Sequence, residues 1–520
     1  MSETVRVELA PLGVSLEVRR GAALGNVLSA YGLEFPCGGA EVCGGCRVRV
    51  LQGELPVMPN DRLVFTEAEL AAGWRLACQA RAENALRLQV EQWTLPILTD
   101  QARLQGSQRT GLGIAVDLGT TTIVAQMIDL ATGDVVAVRT GLNPQTAHGA
   151  DVMSRVRFAL TNPALTLLIR DVLGGMIKEV AVSREGAVVE VVLVGNAVMH
   201  HLFSALDVEP LSHVPFASPN LGEQRFTPQE LNWSLPSSCQ IRFLSCLGGF
   251  VGSDILAGMV AVGTATRSEL TALIDLGTNG EIALGNRERI LCASTAAGPA
   301  FEAGSIRMGM RAATGAISRV LLRDGRLACD VIGDVEPRGI CGSGLVDAVA
   351  EGLRCGAILP SGRLAHGRKE FPLAAPVTVS QGDIRELQLA KGAIAAGLRI
   401  LLARWGATAE DLAAVYLSGA FGNYVAIESA IGIGLLEVPA SRVIASGNTA
   451  LRGAKLIMLA DGKDPELKVE HVSLAADPNF QDTFITCLGF PEEQPQATSN
   501  KSQRQPQATS LKLQAKSLKS

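Results

Sequence analysis

The chain of 520 residues is poor in aromatic side chains, which make up 4% of it, and it has no block of like charge. Its formal net charge of −5 is spread over the whole length. A nucleic-acid binder concentrates basic residues on one face or stretch, so that class finds no support. No run of about 18 apolar residues occurs, so no membrane span is expected. The longest apolar stretch, AVVEVVLVGNAV, is broken by Glu190 and reads as a buried strand. The first residues, MSETVRVELAPLGVSLEV, alternate like a strand and lack the basic and apolar regions of a signal peptide, so a cytoplasmic location is expected. Two nucleotide fingerprints are missing as well. There is no G-x-x-x-x-G-K-[ST] and no G-x-G-x-x-G after a strand, which excludes a P-loop and a Rossmann site.

What is present begins with cysteine. An odd total of 11 on a long chain without a secretory signal argues for thiols and metal ligands over a disulfide framework. Four of them stand as Cys37-x5-Cys43-x2-Cys46-x31-Cys78, the first three on the glycine-rich loop CGGAEVCGGC. Such a loop can curl around a compact [2Fe–2S] cluster and aim backbone N–H groups at its sulfurs. Structural zinc, which generally uses two C-x2-C knuckles, remains an alternative, as does a set of free thiols. Cys239, Cys246, Cys292, Cys329, Cys341, Cys355 and Cys487 show no ligand spacing and are expected to be small buried hydrophobes.

The surrounding segment, residues 1–93, reads as a small sheet with one main helix. VRVELA and VSLEVRR form a hairpin, AALGNVLSAYG has helical spacing, and CRVRVLQG and ALRLQVEQ are strands. TEAELAAG is a short helix with Thr66 as N-cap and Glu69 completing a capping box. Residues 94–112 are polar and aperiodic and read as a linker. The tail, 491–520, contains QPQATS twice and after Glu493 holds basic residues and no acid, so it is expected to be disordered.

From residue 113 the texture changes. GIAVDLGTTTIVAQMID is strand, tight turn, strand, and TALIDLGTNGEIALGN repeats the pattern. VVEVVLVGNAVMHHLF and LAAVYLSGAFGNYV form a weaker second pair, each a strand running into a glycine turn and a helix. Two related α/β halves, 113–270 and 271–490, are the simplest account. At the first turn Asp117 ends a strand, Gly119 permits the sharp reversal, and Thr120 and Thr121 offer hydroxyl and N–H donors to an anion. The second turn offers Asp275, Gly277, Thr278, Asn279 and Gly280, with Glu281 as a further carboxylate. One D-x-G-T turn is also a plain hairpin. Two in matching contexts point to a clamp for a triphosphate and its Mg²⁺, with Asp117, Asp275 and Glu281 as candidate catalytic carboxylates.

These motifs resemble known families. Segment 1–93 is similar to the β-grasp ferredoxins with a longer first cysteine gap, although Glu41 stands where such loops often have Gly and is expected to lower the potential. The two hairpins resemble those of the actin-like ATPase superfamily, which includes acetate and sugar kinases, heat-shock chaperones and actin. That resemblance implies that Gly419 and Gly422 form the adenosine turn. The fold class implied is an α+β β-grasp ferredoxin domain followed by an α/β duplicated RNase H-like domain. The combination looks like the reductive activators of corrinoid-dependent enzymes. The likeness runs over about residues 1–490, through GNAVMHHLF, GGFVGSDILAGM, STAAGPAFEAG, GICGSGLVDAV, AKGAIAAGLRILL and SGAFGNYVAIESAIGIGLL. The short linker suggests the members without an extra domain between the two parts.

The resemblance implies ATP-dependent, one-electron reduction of a corrinoid protein from Co(II) to Co(I) through the cluster. The partners implied are a corrinoid protein of a methyltransferase system and a low-potential electron donor, with a homodimer as a possible assembly. Two other functions fit the same motifs: an ATP-driven donor to another low-potential enzyme, and a small-molecule kinase with a redox sensor. Several polar residues are expected to be structural. Of His200 and His201 one should be buried and one exposed. Lys391, Arg307 and Arg311 should be solvated or salt-bridged at the surface. Asp254 and Asp347 should cap helices.

Overall fold

The computed structural model describes residues 4–10, 14–29, 46–90, 99–100, 102, 104–149, 151–182, 187–214, 216–277, 279–313, 315–323, 325–460 and 467–492. The loop with Cys37, Glu41 and Cys43, together with Thr278 and nearly all of the tail, lies outside the described residues.

The N-terminal unit is a five-stranded sheet made of β1 (Thr4–Ala10), β2 (Val14–Arg19), β3 (Arg47–Gln52), β4 (Trp74–Leu76) and β5 (Leu86–Val90), in the order β2-β1-β5-β3-β4. β1 pairs antiparallel with β2 and parallel with β5, as in a β-grasp. Alternation sends Val5, Val7 and Leu9 inward, where they meet Leu24 and Leu28 of the helix Leu24–Ser29. The Thr66–Glu69 capping box forms as expected. Buried Asp61 accepts from the N–H groups of Met58 and Leu76, both at 2.8 Å, and so fixes the strand that leads to Cys78. β3 and β4 then bring Cys46 and Cys78 to neighbouring strand ends, where Ala77 N–H donates to Cys46 O at 2.8 Å.

Two six-stranded sheets follow. The first comprises β6 (Leu112–Leu118), β7 (Thr122–Asp129), β8 (Val135–Leu142), β9 (Val188–Val194), β10 (Gln224–Phe226) and β11 (Gln240–Phe243). The second comprises β12 (Thr271–Leu276), β13 (Gly280–Gly285), β14 (Ile290–Thr295), β15 (Ala414–Ser418), β16 (Val443–Ala445) and β17 (Val469–His471). Their orders are β8-β7-β6-β9-β11-β10 and β16-β15-β12-β13-β14-β17. Each contains an antiparallel meander of three strands whose first member is extended by two parallel strands. Numbering strands within each half, both read 3-2-1-4-5, the RNase H-like arrangement, with one added edge strand apiece. The weaker sequence pair is strand 4 of each half.

Four helices position the cleft: α1 (Ala197–Ser204), α2 (Ser253–Val262), α3 (Gln381–Trp405) and α4 (Thr449–Leu459). α2 and α4 follow strand 5 of their own halves, yet each packs on the sheet of the other. Val251, Ile255 and Met259 share a core with Leu273, Ala283 and Cys292. Leu451, Ala454, Ile457 and Met458 share one with Ala115, Val192 and Val194. α2 and α4 touch where they cross. A Cβ on Gly453 would lie 1.8 Å from Ala257 O, so only glycine allows this approach. No helix among the described residues is long and apolar enough to cross a membrane.

Candidate functional site: a carboxylate-lined cleft and a cysteine port

Both hairpin turns open at the ends of their first strands, towards the crossing helices. The first turn is braced by two asparagines far away in the chain. Asn143 donates from Nδ2 to Gly119 O at 2.9 Å, and its own N–H reaches Thr121 O at 2.9 Å. Asn196 caps α1 by accepting from Met199 N–H and donates to Thr120 Oγ1 at 2.8 Å. Asp117 accepts from Asn448 Nδ2 at 2.7 Å, and Asn448 is the N-cap of α4.

The second turn is built differently. Asp275 and Glu281 are direct cross-strand partners, so alternation puts both carboxylates on one face. Ser418, at the end of β15, donates to Asp275 Oδ2 at 2.8 Å. Gly419 follows with φ +79°, and a Cβ there would lie 2.7 Å from Asp275 Oδ1. Gly422 sits in the same short helix, Gly419–Tyr424. Gly277 N–H donates to Asn279 O at 3.2 Å, and the Asn279 side chain bonds Glu281. Gly280 packs its backbone against Ile394 of α3.

The electrostatics of these groups are strongly perturbed. Burial pushes Asp117 up to about 6, opposed by the Asn448 bond and reinforced by the charge of Asp275. Burial, with the charges of Asp275 and Asp117, pushes Asp254 up to about 8. Burial, then Asp254 and Asp275, hold Glu281 well above the ordinary carboxylate range. Burial raises Asp275 as well, opposed by the Ser418 hydroxyl. Four carboxylates, Glu281 buried and the other three half-buried, therefore feel one another across the cleft. Desolvation and like charge both disfavour ionisation, and a hard cation with oxygen ligands relieves both. This donor set fits Mg²⁺. No three of the His, Cys, Asp or Glu side chains among the described residues close on one point as a direct cage.

The structure brings together Asp117, Gly119, Thr120, Thr121, Asp275, Gly277, Asn279, Gly280, Glu281, Gly419 and Gly422. It adds residues that the sequence reading missed. Asp254 was expected only to cap, and its Oδ1 does accept from Ile255 N–H at 2.8 Å, but its carboxyl belongs to the acidic set. Asn448 and Asn143 carried no local motif, and Asn196 stood in the segment GNAVMHHLF without a role assigned to it. Arg155 is fully buried behind the first turn, with Nε on Gly149 O at 2.9 Å and Nη1 3.8 Å from Met199 Sδ. Burial brings its guanidinium down to about 9, and the charges of Asp151 and Glu302, the latter from the opposite half, favour its charged form.

Other expectations change. His200 and His201 are both fully buried, because α1 lies under the loop that follows it. His201 bonds Ala197 O and Ser218 Oγ, each at 2.7 Å, and His200 Nε2 bonds Gly222 O at 3.1 Å, so the pair ties that loop down. Lys391 is buried, not solvated, and donates to Gly489 O beneath the Phe490 ring. Arg311 is half-buried, and burial lowers it to about 10, whereas Arg307 makes the expected surface pair with Glu370. Asp347 lies within the helix Gly342–Arg354 instead of capping it and accepts from Val320 N–H at 3.2 Å. Cys355 is exposed and Cys329 half-buried, so neither is a core residue.

These features define a class, a ferredoxin unit joined to a duplicated actin-like ATPase. Comparison with known proteins agrees. Residues 7–83 match the model of the 2Fe-2S iron-sulfur cluster binding domain, 112–267 that of the RACo middle region, and 269–501 that of the C-terminal domain of RACo, the ASKHA domain. The chain is 34% identical over 416 residues to the corrinoid activation enzyme RamQ of Eubacterium limosum, covering 72% of this chain and 69% of that one. It is 28% identical to the [Co(II) methylated amine-specific corrinoid protein] reductase of Methanosarcina barkeri, covering 73% and 77%. The solved structure of a reductive activator for a corrinoid, iron-sulfur protein superposes with a TM-score of 0.64 at 26% identity, over 94% of this chain and 98% of that one. The chain belongs to the family of reductive activators of corrinoid proteins. The match to the middle region falls on the first half of the duplicated fold itself.

Proposed function

We propose that this protein uses ATP hydrolysis to drive one-electron reduction of a corrinoid protein from Co(II) to Co(I). The observation that carries the reading is the pair of equivalent hairpins with four mutually interacting carboxylates between them, on one chain with a 2Fe-2S unit. The domains follow the boundaries 1–93, 113–270 and 271–490, with a connecting stretch over 94–112. The corrinoid protein belongs to a methyltransferase system, the electron comes from a low-potential donor, and the reaction is cytoplasmic.

Cys37, Cys43, Cys46 and Cys78 would hold the cluster, which would supply one-electron chemistry. Asp117 and Asp275 would hold Mg²⁺, which would supply charge neutralisation at the triphosphate. Thr120, Thr121, Thr278, Asn279 and Gly280 present donors to the phosphate oxygens, and Gly419 and Gly422 border the adenosine. Burial, with like charge nearby, favours the protonated forms of Glu281 and Asp254 in the nucleotide-free protein, and beside a bound cation one of the two carboxylates would accept the proton of the attacking water. Positioning and charge neutralisation supply most of what phosphoryl transfer requires.

ATP is needed because the electron step runs uphill. A plant-type centre sits near −400 mV, and an acceptor about 100 mV lower makes the transfer unfavourable by about 2.3 kcal/mol. A cleft with open and closed states offsets this when the partner is held differently in each. Anaerobic incubation with a low-potential reductant, ATP and a Co(II) corrinoid protein should replace the Co(II) absorption with that of Co(I). An unchanged Co(II) spectrum would overturn the reading.

A further inference from the structure

Helix α4 makes polar contacts in three places, and all reach parts of the chain hundreds of residues earlier. At its N-terminus Asn448 donates to Asp117 Oδ2. Two turns along, Lys455 is fully buried, with Nζ 2.8 Å from both the main-chain oxygen and Oδ2 of Asp100. Arg452 lies 3.6 Å from Asp100 Oδ1. Near the C-terminus Met458 O accepts from Arg109 Nη1 at 2.9 Å, and the same nitrogen lies 2.7 Å from Glu190 Oε2. Asp100 and Arg109 both lie on the stretch that joins the ferredoxin unit to β6. One helix thus holds a cleft carboxylate at one end and the ferredoxin connection at the other.

The chemistry of the grip is specific. A buried ammonium loses its hydration, and burial lowers the Lys455 pKa while Asp100 opposes the fall. Buried ion pairs are poor sources of stability compared with apolar packing, so their use here fits a role in placing the chain. The rest of the helix is a rigid apolar wedge. Leu451, Ala454, Ile457 and Met458 pack on the first half's sheet, and Gly453 locks the crossing with α2. Such a rod moves as a unit, so a displacement at Asn448 appears at Lys455.

We propose that α4 carries the state of the nucleotide cleft to the ferredoxin unit, with Asn448 on Asp117 as its input and the Lys455–Asp100 pair as its hold on the connecting stretch. The idea rests on the ATPase reading above and adds the route by which hydrolysis reaches the electron carrier. Lys455 and Asp100 are positioning residues, since neither touches the cleft.

The test is hydrogen–deuterium exchange on the full-length protein, with and without Mg²⁺ and a non-hydrolysable ATP analogue. In the wild type, exchange over residues 99–110 should change on nucleotide binding by about threefold or more, as for a coupled site. Lys455→Met and the apolar double variant Asp100→Leu/Lys455→Met should lose that change. Both should keep nucleotide protection at residues 117–121, and the double variant guards against a result caused by an unpaired buried charge. In the reduction assay both should hydrolyse ATP near the wild-type rate while Co(I) formed per ATP falls about tenfold. A nucleotide response over 99–110 that persists in both variants, or is absent from the wild type, overturns the inference. The exchange readout decides it even when no Co(I) is formed, which would count against the functional reading instead.

Discussion

The two halves of the ATPase share a strand order, a hairpin turn and a crossing helix, yet their polar groups differ. The helix that reaches Asp275 opens with a carboxylate, Asp254, whereas the helix that reaches Asp117 is capped by an amide, Asn448. Glu281 lies opposite Asp275, while the position opposite Asp117, Val124, is apolar. The second turn is therefore ringed by congested acids, and the first turn offers a single carboxylate steadied by a donor. Duplication built the frame, and a few side chains made it directional. A symmetric cleft would hold a phosphate chain equally well in both senses.

That contrast can be broken. Asp117→Asn and Asp275→Asn should each lower ATP hydrolysis by about 10²–10³-fold, since each removes a carboxylate assigned to the Mg²⁺ that neutralises the transferred group. Rates within fivefold of wild type would refute their roles. Asn448→Asp makes the first half resemble the second by placing a carboxylate against Asp117. Hydrolysis should fall about tenfold through like-charge repulsion, measured at saturating Mg²⁺-ATP. Gly453→Ala drives a methyl into Ala257 O and should cost about 1–3 kcal/mol in thermal or denaturant unfolding, because backbone cannot yield there as a side chain would.

A pH series sharpens the same comparison with the smallest expected effect. Asp117 and Asp254 titrate above the ordinary value of 3.8, at about 6 and about 8, so the folded nucleotide-free protein binds more protons than the unfolded chain in between. Stability should therefore fall as pH rises from about 5 to about 8, and Mg²⁺-nucleotide should flatten the slope. Asp254→Asn should raise the thermal midpoint at pH 8 by a few degrees, at about 2–4 °C per kcal/mol for domains of 150–250 residues, while Asn448→Ala should not. An equal response from both would remove the claimed asymmetry.

Local patterns made much of this legible. The repeated D-L-G-T turns, the Thr66–Glu69 capping box and the alternation in β1 depend on neighbours in the chain, so they survive in the sequence. The contacts that enclose His200, Lys391 and Lys455 come from residues 22, 98 and 355 positions away, and a polar residue at a helix start looks the same whether solvent or another element lies above it. Asn448 meets Asp117 only through the crossing of α4 onto the first sheet. The stretch before β6 read as an aperiodic linker because its contacts are scattered, through Asp100, Leu104, Ser107 and Arg109, and leave no period. Cys46 and Cys78 do come together, through the β3–β4 pairing.

The most direct test of the whole account is EPR of the Co(II) signal of a corrinoid protein, mixed anaerobically with the pre-reduced activator under three conditions. These are ATP, a non-hydrolysable analogue, and no nucleotide. The account predicts that the Co(II) signal disappears only with ATP, in step with phosphate release. An equal loss of signal without nucleotide would contradict it.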